Sequence, residues 1–283
     1  KSAEMGFEAG DIDFTRISMS SLENYQNKPP ANSTLVIKPS LYYVWLGMNV
    51  ENEILKDQRV RKAIQHAVDV DSVLEAAYFG AVKRSTGILP PGLLGHRPEN
   101  LIAEPDLDKA KALLKEAGYA SGLDLTIDVL NKTTWVTVAQ VIQASLAQVG
   151  INLTVNVHDS GTFWSLGDES KGEDWKKVQL IVNRFSSAPD PYYATQWFTE
   201  EQIGVWNWER FNDPEYNALH QKAAIETDLA KRDAVYRQMQ DIMEESGAYL
   251  FLTHEAVPLV YRDTIKPALR PDGVPIWRYF ASA

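Results

Sequence analysis

Between Lys177 and Trp208 the chain gathers the residue types of a small-ligand site. The apolar run Val178, Leu180, Ile181 and Val182 has the length and β-branched content of a buried strand. It leads directly into Asn183-Arg184-Phe185-Ser186-Ser187-Ala188 and is stopped by Pro189-Asp190-Pro191. Two prolines so close together permit neither ladder donation nor a helix interior, so the backbone must turn. A guanidinium and two hydroxyls therefore sit at a strand's end facing a loop, which is where layered α/β folds bind ligands. A guanidinium in that position needs a partner. Trp164 precedes the run, and Trp197, Trp206 and Trp208 follow it, together half of the eight tryptophans. Flat apolar rings with a polar N–H suit the lining of a cleft and suit a core equally well.

Other chemistry is sparse. Glu200, Glu201 and Glu209 lie near the tryptophans and offer a carboxylate pair of the glycosidase kind, with Glu201 and Glu209 as the acids of a secreted hydrolase. The bland alternative is that an acidic protein carries glutamates all over its surface. The five histidines, His66, His96, His158, His220 and His254, show no metal-ligand spacing, so neither a metal nor a cofactor is expected. No G-x-S-x-G elbow, phosphate-binding loop or dinucleotide fingerprint occurs. The absence of cysteine rules out disulfides, thiolate catalysis and cysteine-held zinc. A formal charge of −10 argues against a nucleic-acid partner and for solubility. No apolar run reaches the length of a membrane span.

The elements that must position these residues read as α/β. Ala3 to Ala9 has a helical pattern ended by Gly10, and Ile12, Phe14 and Ile17 alternate like a strand. Asn27 to Ser33 reads as a loop, followed by two short strands, Thr34–Ile37 and Tyr42–Met48, joined by a bend at Pro39-Ser40. Asp57 starts a helix with Val60, Ile64, Ala67 and Val68 on one face, and Asp71 caps its continuation to Phe79. Gly87 to Pro98 is an extended loop, and Asp106 starts a helix stopped by Gly118. Leu123–Leu130 alternates, Thr134–Val149 has helical spacing and Ile151–Val157 alternates again, the pattern of a right-handed parallel crossover. Helices begin at Asp213-Pro214 and Asp228, and Tyr249–Leu252 and Val257–Tyr261 read as two closing strands.

In this order, the pieces resemble the extracytoplasmic solute-binding proteins of the peptide and nickel class, family 5, which serve ABC importers. A tyrosine-rich strand ending in Asn, Tyr42-Tyr43-Val44-Trp45-Leu46-Gly47-Met48-Asn49, is followed by Asp57-Gln58-Arg59-Val60-Arg61-Lys62-Ala63-Ile64-Gln65-His66-Ala67-Val68-Asp69. Leu89-Pro90-Pro91, Asp108 to Gly118, Asp190-Pro191 and Asn212 to Leu219 continue the likeness along the chain.

The resemblance implies a lobe of the type II periplasmic-binding-protein kind, with a mixed sheet and helices on both faces. Residues 1–36 would end a first lobe, 37–257 would form the second lobe and 258–283 would return to the first, so that the chain starts in mid-structure. The segments Thr34–Ser40 and Leu252–Pro258 would be the hinge. The chain would then be a monomeric, non-catalytic receptor in the periplasm or on the cell surface. It would deliver a peptide or peptide-like, anionic small solute to a membrane permease; a sensory receptor could use the same lobe. Peptide-binding members carry an aspartate for the ligand's amino terminus three positions before the D-P aspartate. Here that position is Ser187, and the cleft position three before it is Arg184, which implies preference for an anion. The expected ligand contacts are Arg184, Phe185, Ser186, Ser187, Trp206, Trp208 and Trp164.

Overall fold

The computed structural model describes residues 1–283. In chain order the elements are α1 (Ser2–Ala9), β1 (Phe14–Arg16), α2 (Met19–Asn27), β2 (Ser33–Met48), α3 (Gln58–Ala67), α4 (Val70–Tyr78), α5 (Leu107–Glu116), β3 (Leu123–Leu130) and α6 (Thr133–Ala147). There follow β4 (Ile151–His158), α7 (Ser160–Phe163), β5 (Leu180–Ser186), α8 (Tyr192–Thr195), α9 (Pro214–Ile225), α10 (Leu229–Glu245), β6 (Tyr249–Arg262), β7 (Ile265–Lys266) and β8 (Ala281–Ser282). Six strands form one mixed sheet in the order β1-β6-β2-β5-β3-β4. The crossover read from the sequence is present: β3 runs parallel to both β4 and β5. The remaining pairs are antiparallel.

The period of two along β2 divides the core. Val44, Leu46 and Met48 face a cluster shared with α3, α4 and α6, while Tyr43 and Trp45 face α8, α9 and α10. Both faces of the sheet are thus covered, as in the type II fold. Aspartates make the helix starts: Asp57, Asp106, Asp213 and Asp228 each accept a backbone N–H of the first turn, a cap contributing about 1 kcal/mol. At α4 the cap is Asp69, whose Oδ1 takes the Ser72 N–H at 3.0 Å; Asp71 lies inside the first turn instead.

The two short strands expected on each side of Pro39-Ser40 are one strand, β2, and the two expected at the end are likewise one, β6. Ser33–Pro39 pairs with Ala256–Arg262, beyond the reach of β5, so Pro39 lies where β2 has an open edge and its missing N–H costs nothing. Between Pro39↔Ala256 and Tyr43↔His254, β2 advances four residues while β6 moves two. A second, opposite shift follows between Val44↔Thr253 and Trp45↔Phe251. These bulges bend the long ribbon where it leaves the rest of the sheet. The tail folds back: Trp277 and Phe280 each meet Phe14 of β1 edge-on, with ring centroids 5.3 Å apart.

A candidate ligand cleft at the end of β5

β5 runs four residues beyond Val182, so Asn183, Arg184, Phe185 and Ser186 are strand residues. On the β2 side they pair with Trp45, Val44, Tyr43 and Tyr42. On the other side β3 stops pairing after Asp128↔Ile181, which leaves this half of β5 without a strand neighbour there. Alternation sends Arg184 to the α4 and α6 side and Phe185 to the opposite one. Ser187 lies past the strand; its N–H donates to the Leu41 carbonyl and its hydroxyl to the Ala188 carbonyl.

Arg184 opens into a cavity of about 330 Å³ bordered by Arg16, Tyr42, Tyr78, Lys132 and Glu255. The partner that its position demands is Glu255 of β6, whose Oε2 accepts from Nη1 at 2.7 Å. The guanidinium also lies over the Tyr42 ring, 4.2 Å from its centroid. Arg184 is therefore not the bare cation that its place at a strand end suggested. Its Nη2 and Nε–H make no hydrogen bond within the chain, however, and stay available. Tyr78 borders the same cavity, and its hydroxyl is buried without a partner. Burial, and then the Glu255 charge, push its ionisation well above the ordinary range, so it is a donor at any physiological pH. Partial desolvation holds the Lys132 ammonium below the ordinary lysine range; Glu255 opposes this and Arg184 adds to it.

On the other face, Phe185, Ser186, Trp197 and Trp206 surround a smaller cavity of about 180 Å³. Trp206 is 38% exposed and meets Phe185 edge-on at 5.9 Å and Trp197 at 6.3 Å. Trp208 is a different case: 2% exposed, it donates Nε1–H to the Val205 carbonyl and packs on Phe163. A Cβ on Gly167 would come within 2.0 Å of its ring, which shows how tightly that ring is enclosed. Trp164 packs against Phe163 and Trp208 in the same cluster. Neither Trp208 nor Trp164 lines these cavities: Trp208 is buried in a cluster with Phe163 and Ile181, and Trp164 packs half-buried against it.

The glutamate pair fares no better. Glu201 is exposed on a surface turn, whereas Glu209 is 1% exposed and accepts the Trp45 indole N–H at 2.7 Å beneath β2. A Cβ on Gly47 would lie 2.0 Å from its Oε1, so glycine is what lets the carboxyl fit. Burial pushes Glu209 up to about 7 against the hydrogen bond from Trp45. One acid is sealed in and the other is in solvent, so no substrate can lie between them. Among the site residues that the sequence left unmarked are Glu255, Lys132 and Tyr78; only Glu255 carried a signal, as a lone acid inside the apolar run from Tyr249 to Tyr261.

A model of the bacterial extracellular solute-binding proteins, family 5 (middle), matches residues 1–204. The chain is 26% identical over 244 residues to the dipeptide-binding protein of Escherichia coli, covering 84% of this chain and 45% of that protein. It is 27% identical over 236 residues to the glutathione-binding protein GsiB of Salmonella paratyphi A, covering 79% and 44% respectively. The chain thus spans under half the length of these curated relatives. Among solved structures, the periplasmic binding protein DppA from Helicobacter pylori, in complex with the peptide STSA, superimposes with a TM-score of 0.84 at 24% identity, covering 99% of this chain and 54% of that one.

Proposed function

The chain belongs to the bacterial extracellular solute-binding proteins of family 5, and on that premise we propose that it is part of the receptor of an ABC importer, taking a peptide or peptide-like solute outside the cytoplasm. The observation that carries the reading is the free end of β5, which offers a guanidinium and hydroxyls on one side and an aromatic shelf on the other. The names of its relatives, dipeptide-binding and glutathione-binding, support short peptides as the ligand class. Arg184, Phe185, Ser186, Ser187 and Trp206 are the proposed contacts. Residues 37–257 make the ligand-bearing lobe, and 1–36 with 258–283 lead to a first lobe. The hinge lies in the β2–β6 ribbon, at Thr34–Ser40 and Leu252–Pro258, a reading supported by the register shift that follows Pro39 where the regular pairing of Ser33–Pro39 with Ala256–Arg262 ends. The receptor acts as a monomer handing its solute to a membrane permease, without catalysis.

Mass spectrometry of small molecules retained through purification of the full-length protein identifies the solute. Incubation with that solute then separates receptor from enzyme: stoichiometric binding with the solute recovered intact is expected, and turnover would refute the reading.

A further inference from the structure

The cavities beside β5 share lining residues. The Arg184 cavity shares Arg16, Tyr42 and Val257 with a second of about 350 Å³, which in turn shares Ser186 with the Trp206 cavity. Together they form a run of neighbouring cavities around the end of β5. Its chemistry changes along its length. At the first end four cations, Lys1, Arg16, Lys132 and Arg184, face one carboxylate, Glu255, which already holds Arg184. The middle offers serine hydroxyls, and its one acid, Asp272, is paired with Arg270 at 2.8 Å. The far end is Phe185, Trp197 and Trp206 with no charge at all.

No unengaged carboxylate lines these cavities, so a ligand ammonium finds no counter-ion in this lobe. It would lie among cations at one end, and at the other it would meet only aromatic faces. A carboxylate, in contrast, finds the spare N–H groups of Arg184 and the partnerless Tyr78 hydroxyl at the first end. Resting on the reading of the chain as a solute receptor, we infer that the solute is a short peptide-like acid whose amino end is blocked or apolar, such as an N-acylated dipeptide. Its free carboxylate lies toward Arg184 and Tyr78, and its acyl or aromatic end lies on Trp206.

Titration calorimetry on the full-length protein with four probes tests this: N-acetyl-Phe-Ala, Phe-Ala, N-acetyl-Phe-Ala-amide and N-acetyl-Ala-Ala. N-acetyl-Phe-Ala is expected to bind tightest. The amide should lose about 30- to 100-fold, the scale of a charged hydrogen-bonding group removed from donors that stay behind. Phe-Ala and N-acetyl-Ala-Ala should each lose about tenfold or more. Tyr78→Phe should weaken the acid about tenfold and the amide distinctly less, since the bond to a charged acceptor is the stronger; an equal loss for both would overturn the placing of the carboxylate at Tyr78. If Phe-Ala binds as well as its acetylated form, or the amide as well as the acid, the inference falls while the receptor reading stands. If no probe binds, the inference falls too, and the receptor reading falls with it only if the purified protein also retains no peptide-like molecule.

Discussion

Replacing the sealed Glu209 carboxyl with an amide should change how stability depends on pH. In the folded chain Glu209 titrates at about 7 instead of 4.5, because burial disfavours its charged form. The folded state therefore holds a proton that the unfolded state has released between pH 4.5 and 7, and stability falls as pH rises through that window. A shift of this size is worth about 3 kcal/mol at about 1.4 kcal/mol per unit. His254 works in the opposite sense. Burial first, then the charge of His96, lowers it from 6.5 to about 4, so its contribution is lost as pH falls through that range. In the parent protein the two slopes offset one another between about pH 4.5 and 6.5. Glu209→Gln keeps an oxygen for the Trp45 N–H and sets its amide beside the Tyr249 hydroxyl, which can accept from it. Urea melts at half-unit steps from pH 4.5 to 8 should show variant and parent alike at the acid end, and the variant more stable by about 3 kcal/mol above pH 7. Every other group cancels in the difference. A difference that does not change with pH would refute the buried-acid reasoning.

The clamp joining Arg97 to Glu244 is buried on both sides, each side chain 2% exposed, and it ties the loop after Leu89 to α10. Arg97→Ala should cost about 3–5 kcal/mol in a urea melt, because Glu244 loses its ion-pair partner and keeps only the Leu101 and Ile102 backbone N–H groups. Trp208→Ala should cost about 3–5 kcal/mol of stability as a core truncation and leave affinity unchanged once refolded, whereas Trp206→Ala should weaken ligand binding and scarcely move the melting temperature; calorimetry and thermal melts on both variants check the pair. On the two-lobe reading, the 283-residue chain alone should melt cooperatively yet bind the solute far more weakly than the full-length protein, and equal affinities by titration calorimetry would place the whole site in this lobe.

Local signals made much of the fold legible before any coordinates. Aspartate caps, terminating glycines and alternating apolar residues marked α3, α5, β3, α6, β4, α9 and α10, because each depends on neighbours in sequence. What failed depended on distant partners. Pro39 was read as a break, but its strand is held by pairing with Ala256 more than two hundred residues away. α2 carries no capping hydrogen bond; Leu22 and Tyr25 are fixed by packing on Phe7 and Val260. Asp69 and Asp71 both precede helical spacing, and only the turn geometry chooses between them. The site divided in the same way. Arg184 and Phe185 were visible as unusual residues at a strand's end, whereas the burial of Trp208 and Glu209 could not be read from residue types that serve equally in cores and clefts. Glu255 was invisible as a partner because it comes from β6, seventy-one residues beyond Arg184.

The central claim is that the solute sits at the end of β5 with its charge on Arg184. Titration of the co-purified solute into the full-length protein and its Arg184→Ala variant tests this directly. Weakening by about 2–5 kcal/mol is expected, the scale for removing one partner of a buried charged contact, measured below the melting transition of the variant. Unchanged affinity for the variant would contradict it and move the ligand elsewhere on the molecule.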